Sequence, residues 1–518
     1  MGRIRATLAL ATAPREAARR HPDVPIHLDQ PLDLFPEAGD ALNFATFAEL
    51  VERAAALLLG AGVLPGNRVL VVKRANFDVI LLAFACARMG AVPILTHPDV
   101  GPTSLGLHVR RGEPAAIVTD ADTESAGALD EVGAALPPRL YVGKPGRHGE
   151  ALQDQPPGEL PHSIVPPRDA PQLVTHSSGT TGVPKLVLHT VESFAGHAKP
   201  QVNFLRVVRL RDPYLTCVSP VHARAMSGML TVLAVGLPLG FMTDPDPRNA
   251  ERMLARVRPG IVETLPNAFI RWEETAEKRP ELLSQVRMFI SSFDAAHPRT
   301  IRTLLAAGRP GARYLQAYGQ TETGPLTIKL HRANRGCTDG RCVGRPMIGH
   351  TRLRISDEGN TRRMGKGQLG AIFGKSAGVT PAYLGQGDQR VDGWWAMGDV
   401  GMVSRRGCLH LYDRIVDQGS GVESLLRAED QILEGMRQLT EAVLIPVSEG
   451  PPVPLVCTRG DRPLDRAAWA EATAGLPELA PPVQCRWEDI PHTATWKVKR
   501  LEVARKLASG ELVQLDVR

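Results

Sequence analysis

Polar and apolar positions set out the first elements. Thr46-Phe-Ala-Glu49 reads as a capping box, and the apolar-rich stretch behind it keeps helical spacing until Gly60. Arg68-Val-Leu-Val-Val-Lys73 follows as a strand, and residues 77–89 are apolar enough on all sides to predict a buried helix. Residues 92–95 and 115–119 are predicted strands, so helix and strand alternate as in a parallel-rich sheet covered by helices. The period is lost over residues 144–171, where Pro, Gly and charge dominate and a surface connection is expected. It resumes from Gln172 to about Val400. Gly419 and Gly421 then bracket a polar turn after Leu409-His-Leu-Tyr412. About a hundred residues follow, enough for a small separate domain. The fold class is α/β, α+β overall: layered sheets and helices in a large N-terminal part, with a smaller α+β part after it.

At 518 residues the chain exceeds one simple core, and 43% hydrophobic with 22% charged residues excludes wholesale disorder. Seven scattered cysteines argue for a reducing, cytoplasmic setting rather than a disulfide framework. Cys337 and Cys342, flanked by His331 and His350, match no compact metal-ligand spacing and read as surface loop. The net charge of +6 is dispersed along the chain instead of gathered in a stripe. That disfavours nucleic acid and suits a small anion such as a nucleotide. Arg3 and Arg5 precede a short Leu/Ala run, but Arg15, Arg19 and Arg20 follow at once, so an ordinary N-terminal segment is expected. No apolar run approaches the roughly 18 residues of a membrane span.

Candidate chemistry begins at Thr175-His-Ser-Ser-Gly-Thr-Thr-Gly-Val-Pro-Lys185, between Leu173-Val174 and Leu186-Val187-Leu188. Gly179 and Gly182 let the backbone bring N–H groups close to an anion. Ser177, Ser178, Thr180 and Thr181 add hydroxyl donors, and Lys185 supplies a mobile cation. A polyphosphate is the expected guest. The spacing is not that of the P-loop, since no Ser or Thr follows Lys185.

The order Ser-Gly-Thr-Thr-Gly-x-Pro-Lys resembles the signature of the adenylate-forming superfamily: AMP-forming acyl/aryl-CoA synthetases, luciferases and nonribosomal-peptide adenylation domains. Later segments resemble its landmarks in the same order. Gln316-Ala-Tyr-Gly-Gln-Thr-Glu-Thr-Gly324 is similar to Y-G-x-T-E, and Gly393-Trp-Trp-Ala-Met-Gly-Asp399 to W-x-x-T-G-D. Arg414 with Asp417 is similar to G-R-x-x-D, and Pro491 to Arg500 to P-x-T-x-x-G-K-x-x-R. The resemblance covers nearly the whole chain and is nearest to the acyl-CoA synthetases. It implies ATP-dependent activation of a carboxylic acid to an acyl-adenylate with release of pyrophosphate. ATP and Mg²⁺ are the implied cofactors, with CoA or an acyl-transfer partner protein downstream.

The resemblance also implies roles. Glu322 would hold Mg²⁺, which takes one or two carboxylates plus phosphate oxygens. Thr321 would donate to the α-phosphate, with Gln316, Ala317, Tyr318, Gly319 and Gln320 around the nucleotide and the Tyr318 ring against adenine. Asp399 would accept from the ribose, and Arg414 would grip ribose or phosphate as a fixed fork. Lys497 would be the adenylation catalyst, with Lys499 as a decoy. Asp294 and Ala295 would lie along the nucleotide, and His222 and Phe293 along the acid. The implied organisation is an ATP- and acid-binding domain over residues 1–413, a hinge at 414–417 and a mobile lid over 418–518.

Several positions depart from the pattern. Val416 stands where the hinge is normally Asp or Lys, Asp413 replaces the Gly before the arginine, and the segment from Asp417 to Glu429 is about one residue short. Trp496 replaces the Gly before Lys497, and Phe293-Asp294-Ala295 replaces Gly-Gly-Ala. Elements tied to thioester formation drift while those tied to adenylation persist. Transfer to CoA on this chain or by a partner protein therefore stays open. The acid pocket is expected from residues 219–228, 262–268 and 291–296; no Asp lies in 219–228, which disfavours an amino-acid substrate. An oxidative luciferase-like enzyme and a catalytically inactive nucleotide-binding scaffold are the competing classes. The intact set Lys185, Glu322, Asp399, Arg414 and Lys497 weighs against the second.

Overall fold

The computed structural model describes residues 8–130, 132, 136–162, 164–177, 185–293, 296–333, 341–414, 424–447, 450–493 and 498–515. Two sheets carry most of it. The smaller has six strands in the order Arg139–Tyr141, Ala116–Thr119, Arg68–Val71, Val92–Leu95, Pro171–His176, Leu186–Thr190. All neighbours are parallel except the last pair, which forms an antiparallel edge. The larger sheet is mixed. Its parallel portion runs Arg313–Gln320, Met288–Ser291, Ile261–Thr264, Tyr214–Cys217, Leu239–Met242 and Pro25–Leu28. Beyond Arg313–Gln320 it continues antiparallel through Gly324–Arg332 and Cys342–Pro346 to Leu409–Arg414, Trp395–Val403, Gly370–Ser376 and Thr351–Ser356.

The main core gathers helices Phe44–Gly60, Asp78–Arg88 and Ala223–Val235. Every residue of Asp78–Arg88 is buried, as expected of a helix without a polar face. Each of its two charged ends has polar partners. Asp78 accepts from the Asp33 and Leu34 N–H groups, and Arg88 pairs with Glu52 at 2.6 Å. The first helix begins earlier than the Thr46 capping box predicts. Asn43 is its N-cap, accepting from the Thr46 N–H at 2.8 Å, so Thr46 already lies inside the helix. The strand expected over 68–73 stops at Val71, leaving Lys73 buried beside Asp33 (3.2 Å), Asp120 (3.7 Å) and Asp78 (3.8 Å). Cys342 departs from the surface-loop expectation: it is buried at the start of a strand that lies between two others in the large sheet, where its first three residues are all buried. Cys337 lies outside the described residues.

Residues after 424 form a three-stranded sheet, Leu439–Ile445, Val453–Thr458 and Val483–Gln484. Helices Leu425–Gly435, Arg466–Thr473 and Arg500–Ser509 accompany it, and two apolar clusters draw only on residues of this part. It meets the rest of the chain largely through polar groups. Arg299 donates to the carbonyls of Leu433, Met436 and Leu439 at 3.0–3.2 Å. Arg341 pairs bidentately with Asp430 at 2.6 and 2.9 Å, and Asn267 donates to Glu441 at 3.1 Å. Among the described residues no helix is long and apolar enough to cross a membrane.

Candidate active site

The site is centred on a hairpin. Strand Arg313–Gln320 turns back at Thr321–Thr323 into strand Gly324–Arg332, with a register shift between Tyr318 and Gly319. Such an irregularity re-aims side chains out of the plain alternation of a ladder. Gly319 permits it, because a Cβ there would lie 2.1 Å from the Gly324 carbonyl oxygen.

From this hairpin Tyr318 donates to Asp399 at 2.7 Å, drawing in strand Trp395–Val403. Gln320 donates to the Met397 carbonyl. Thr321 Oγ1 lies 3.3 Å from His222 Nε2. Glu322 accepts from the Tyr383 hydroxyl at 3.0 Å, while the Lys185 ammonium sits over the Tyr383 ring, 4.7 Å from its centre. Burial raises the Glu322 carboxyl above its ordinary range, partly offset by its backbone hydrogen bond, the Tyr383 hydroxyl and Lys185. A buried carboxylate that faces an ammonium and is held by a hydroxyl is suited to a cation.

Ser177 and Lys185 close the base of the glycine-rich loop: Ser177 N–H donates to the Lys185 carbonyl at 2.9 Å, and Lys185 N–H to Ser177 Oγ at 3.0 Å. His222 caps helix Ala223–Val235 by accepting from the Arg224 N–H, and its ring meets Phe293 edge-on at 4.4 Å. Phe293 has φ +80°, which a bulky residue adopts at a cost of about 1–3 kcal/mol. Glycine takes this conformation freely. The side chain has thus been placed on a backbone suited to glycine, and it fills space beside His222.

Ser177, Lys185, His222, Phe293, Gln316, Ala317, Tyr318, Gly319, Gln320, Thr321, Glu322 and Asp399 all line one cavity of about 990 Å³. Its wall includes two buried polar atoms without a hydrogen-bond partner among the described residues, Gln316 Nε2 and Ser292 Oγ. Orphaned groups of this kind suit a polar guest such as ATP. Ser178, Gly179, Thr180, Thr181, Gly182, Asp294, Ala295 and Lys497 lie outside the described residues, as do hinge residues 415–417 with Val416 among them. Arg414 pairs its backbone with Asp399 across two strands. Lys499 forms an ion pair with Glu502 at 3.4 Å, and Arg500 grips Glu429 at 2.6 and 2.9 Å.

Two features carry no sequence signal. Tyr383, which holds Glu322, lies in a Gly-rich stretch without regular period. The opposite wall holds a buried cluster in which Arg224 pairs with Glu263 through two N–H groups at 2.5 and 2.7 Å. Tyr214 and Gln201 complete that cluster.

A hairpin carrying Thr and Glu, a Tyr–Asp pair and a lysine-based loop around one cavity define a nucleotide-using, adenylate-forming enzyme. Residues 14–384 match the AMP-binding enzyme family, and the chain belongs to that family. It is 39% identical to the 3-amino-2-hydroxy-4-methoxybenzoate diazotase of Streptomyces cremeus, over 94% of each chain. It is 26% identical to the 2-succinylbenzoate–CoA ligase of Geobacillus kaustophilus, over 94% of this chain and 99% of that one. The o-succinylbenzoate CoA synthetase of Bacillus subtilis, solved with ATP and a magnesium ion, superposes with a TM-score of 0.75 at 16% identity, covering 94% and 98% of the two chains. The activity is ATP-dependent formation of an adenylate.

Proposed function

We propose that the chain acts on an amino-substituted, hydroxylated aromatic acid, and that adenylation at this site serves to convert the ring amine to a diazonium group. The observation that carries this is the Arg224–Glu263–Tyr214–Gln201 cluster, which makes one wall of the acid cavity polar where a fatty or alicyclic acid needs an apolar slot. The 39% identity to a diazotase of an aminohydroxybenzoate supports it.

The chemistry balances without an external oxidant or reductant, since the amine nitrogen and the nitrite nitrogen exchange electrons with each other. A nitrite oxygen attacks the α-phosphorus of ATP and pyrophosphate leaves, which turns a poor oxide leaving group into AMP. The aryl amine attacks the nitrosyl nitrogen, the N–O bond to AMP breaks, and the amine loses a proton. Protonation and loss of water from the N-nitrosamine give the diazonium ion. In this scheme Lys185 and the glycine-rich loop neutralise the phosphates and Glu322 holds Mg²⁺. Thr321 donates to the α-phosphate, Tyr318 orients Asp399 toward the ribose, and His222 with Phe293 borders the reacting oxyanion. Lys497 bridges that oxyanion and the α-phosphate, and Arg414 grips the nucleotide.

Residues 1–413 serve as the ATP- and acid-binding domain, 414–417 as hinge and 418–518 as lid. A cytoplasmic location belongs to the same reading, supported by six free thiols among the described residues.

Adenylation of the carboxylate itself is the second reading of the product, with CoA or a partner protein as acceptor. The full-length likeness to a CoA ligase favours it. One assay separates the two: pyrophosphate release from Mg-ATP with 3-amino-2-hydroxybenzoate, run with and without nitrite and with and without CoA. Nitrite-dependent release together with a product that couples to a naphthol as an azo dye is the expected result. Nitrite-independent release with hydroxylamine-trappable acyl-adenylate or acyl-CoA would replace diazotisation by the second reading.

A further inference from the structure

The Arg224 cluster is a buried ion pair that is already balanced, and that balance limits what it can bind. Glu263 faces Arg224 through both oxygens and also accepts from the Tyr214 hydroxyl. One positive and one negative charge cancel, and the remaining members are neutral. Both line the cavity; the Glu263 side chain is 2% exposed and that of Arg224 16%, so Arg224 is the more accessible of the two charged side chains. An alkylammonium would need an unpaired carboxylate here, and a second carboxylate would be set beside Glu263. Either guest would bring an unbalanced charge into a desolvated wall, which costs several kcal/mol.

A neutral hydrogen-bonding group meets no such penalty, and the cluster has spare capacity for one. Gln201 accepts from Arg224 through its carbonyl and donates one amide N–H to the His197 carbonyl at 3.0 Å; among the described residues its second N–H has no partner. Ser227 Oγ donates to the Arg224 carbonyl at 3.1 Å and is met by Arg224 Nη1 only at 3.5 Å, so an acceptor position on that hydroxyl is barely used. One donor and one acceptor are what a hydroxyl requires. Both residues line the same cavity as Thr321 and Glu322. The adjoining lining includes Phe204, Ile290 and Leu315, which supply apolar area for a flat ring.

We infer that Gln201 and Ser227, held in place by the Arg224–Glu263 pair, form a subsite that reads a neutral ring hydroxyl on the aromatic acid. The inference rests on the proposed substrate class and narrows it: ring-hydroxylated acids are selected over their dehydroxylated counterparts, while second carboxylates and alkylammonium groups are rejected. Gln201 and Ser227 are specificity residues and take no part in adenylation.

The test is calorimetric binding of 3-amino-2-hydroxybenzoate and 3-aminobenzoate to the full chain in the presence of AMP, for the parent, Gln201→Leu and Ser227→Ala. The hydroxylated acid is expected to bind the parent about five- to tenfold tighter, the worth of one well-made neutral hydrogen bond. Each variant should erase most of that preference and leave the affinity for 3-aminobenzoate unchanged. Equal affinities in the parent would overturn the inference, and so would a variant that weakens both acids alike, because that marks a structural role. Melting temperatures of the two variants are compared with the parent, and only variants that match it are scored. Failure of the functional reading is separately visible: the parent would show the binding preference but no nitrite-dependent pyrophosphate release.

Discussion

Tyr318, Gln320, Thr321 and Glu322 reach the cavity from five consecutive residues of one hairpin, whereas Gln201, Tyr214, Arg224 and Glu263 reach it from two helices and two strands. The hairpin wall tethers its side chains to groups outside itself: Asp399, the Met397 carbonyl, His222 and Tyr383. The Arg224 wall binds to itself, with every member bonded to at least one other. A local wall can lose a side chain without losing its backbone. A self-bonded buried wall cannot lose its charge balance without penalty. Substitutions on the first should therefore strike activity before folding, and removal of either charge, Arg224 or Glu263, on the second should strike folding before activity.

The largest expected effect belongs to the adenylation machinery. Lys497→Ala should lower adenylation by about 10²–10⁴-fold, the range for a positioned group acting in the transition state, with an unchanged melting temperature. Pyrophosphate release and a thermal melt check both halves. Full activity in the variant would remove Lys497 from the proposed machinery.

Next comes the Arg224 wall. Arg224→Met leaves Glu263 buried without its cation and should cost about 3–5 kcal/mol of stability. Arg224→Met combined with Glu263→Met should recover much of that loss, since removing both charges leaves neither stranded. Chemical denaturation of the two single variants and the pair gives the coupling. A single variant as stable as the parent would show that water reaches Glu263, and the contrast between the walls would fail.

The same contrast explains what was legible in the sequence. The hairpin and the glycine-rich loop are contiguous, so their residues announce themselves in order, and the helix over 78–88 and the strand over 92–95 follow from unbroken apolar runs. Arg224 lies in a segment whose legible features are His222 and the lack of an Asp, and Glu263 sits in a strand whose other residues are ordinary core. Nothing in spacing links positions 201, 214, 224 and 263; parallel strand order does, by setting Tyr214–Cys217 beside Ile261–Thr264. The Asn43 cap was missed because Thr46-Phe-Ala-Glu49 offers a competing start three residues later. Tyr383 is joined to the hairpin by Thr380, whose N–H donates to the Glu322 carbonyl at 2.7 Å, a pairing across 58 residues that no local pattern predicts.

Tyr383 gives a smaller effect on the hairpin wall. Tyr383→Phe removes only the hydroxyl that orients Glu322 and should lower kcat/KM about tenfold at limiting Mg²⁺, with recovery as Mg²⁺ is raised. Loss that Mg²⁺ does not restore would move the role of Tyr383 from Glu322 to the Lys185 ammonium above its ring.

The smallest effect is a dependence on pH that only the hairpin wall should show. Burial raises the Glu322 carboxyl, so the folded chain holds that proton more tightly than the unfolded chain does. Its contribution to stability is fully present below the ordinary carboxylate value of 4.5 and is lost as pH rises through the raised folded value. Mg²⁺ competes with the proton for the same oxygens, so the metal gains where the proton is lost. The rise in melting temperature produced by Mg-ATP should be larger at pH 7.5 than at pH 5, by about 1–3 °C. Glu322→Gln should flatten this difference, since an amide neither titrates nor draws the cation strongly. Gln201→Leu, on the opposite wall, should leave it intact. A pH dependence that survives in Glu322→Gln would mean that the cation is held elsewhere, and the hairpin carboxylate would then be a buried acid stabilised by Tyr383 alone.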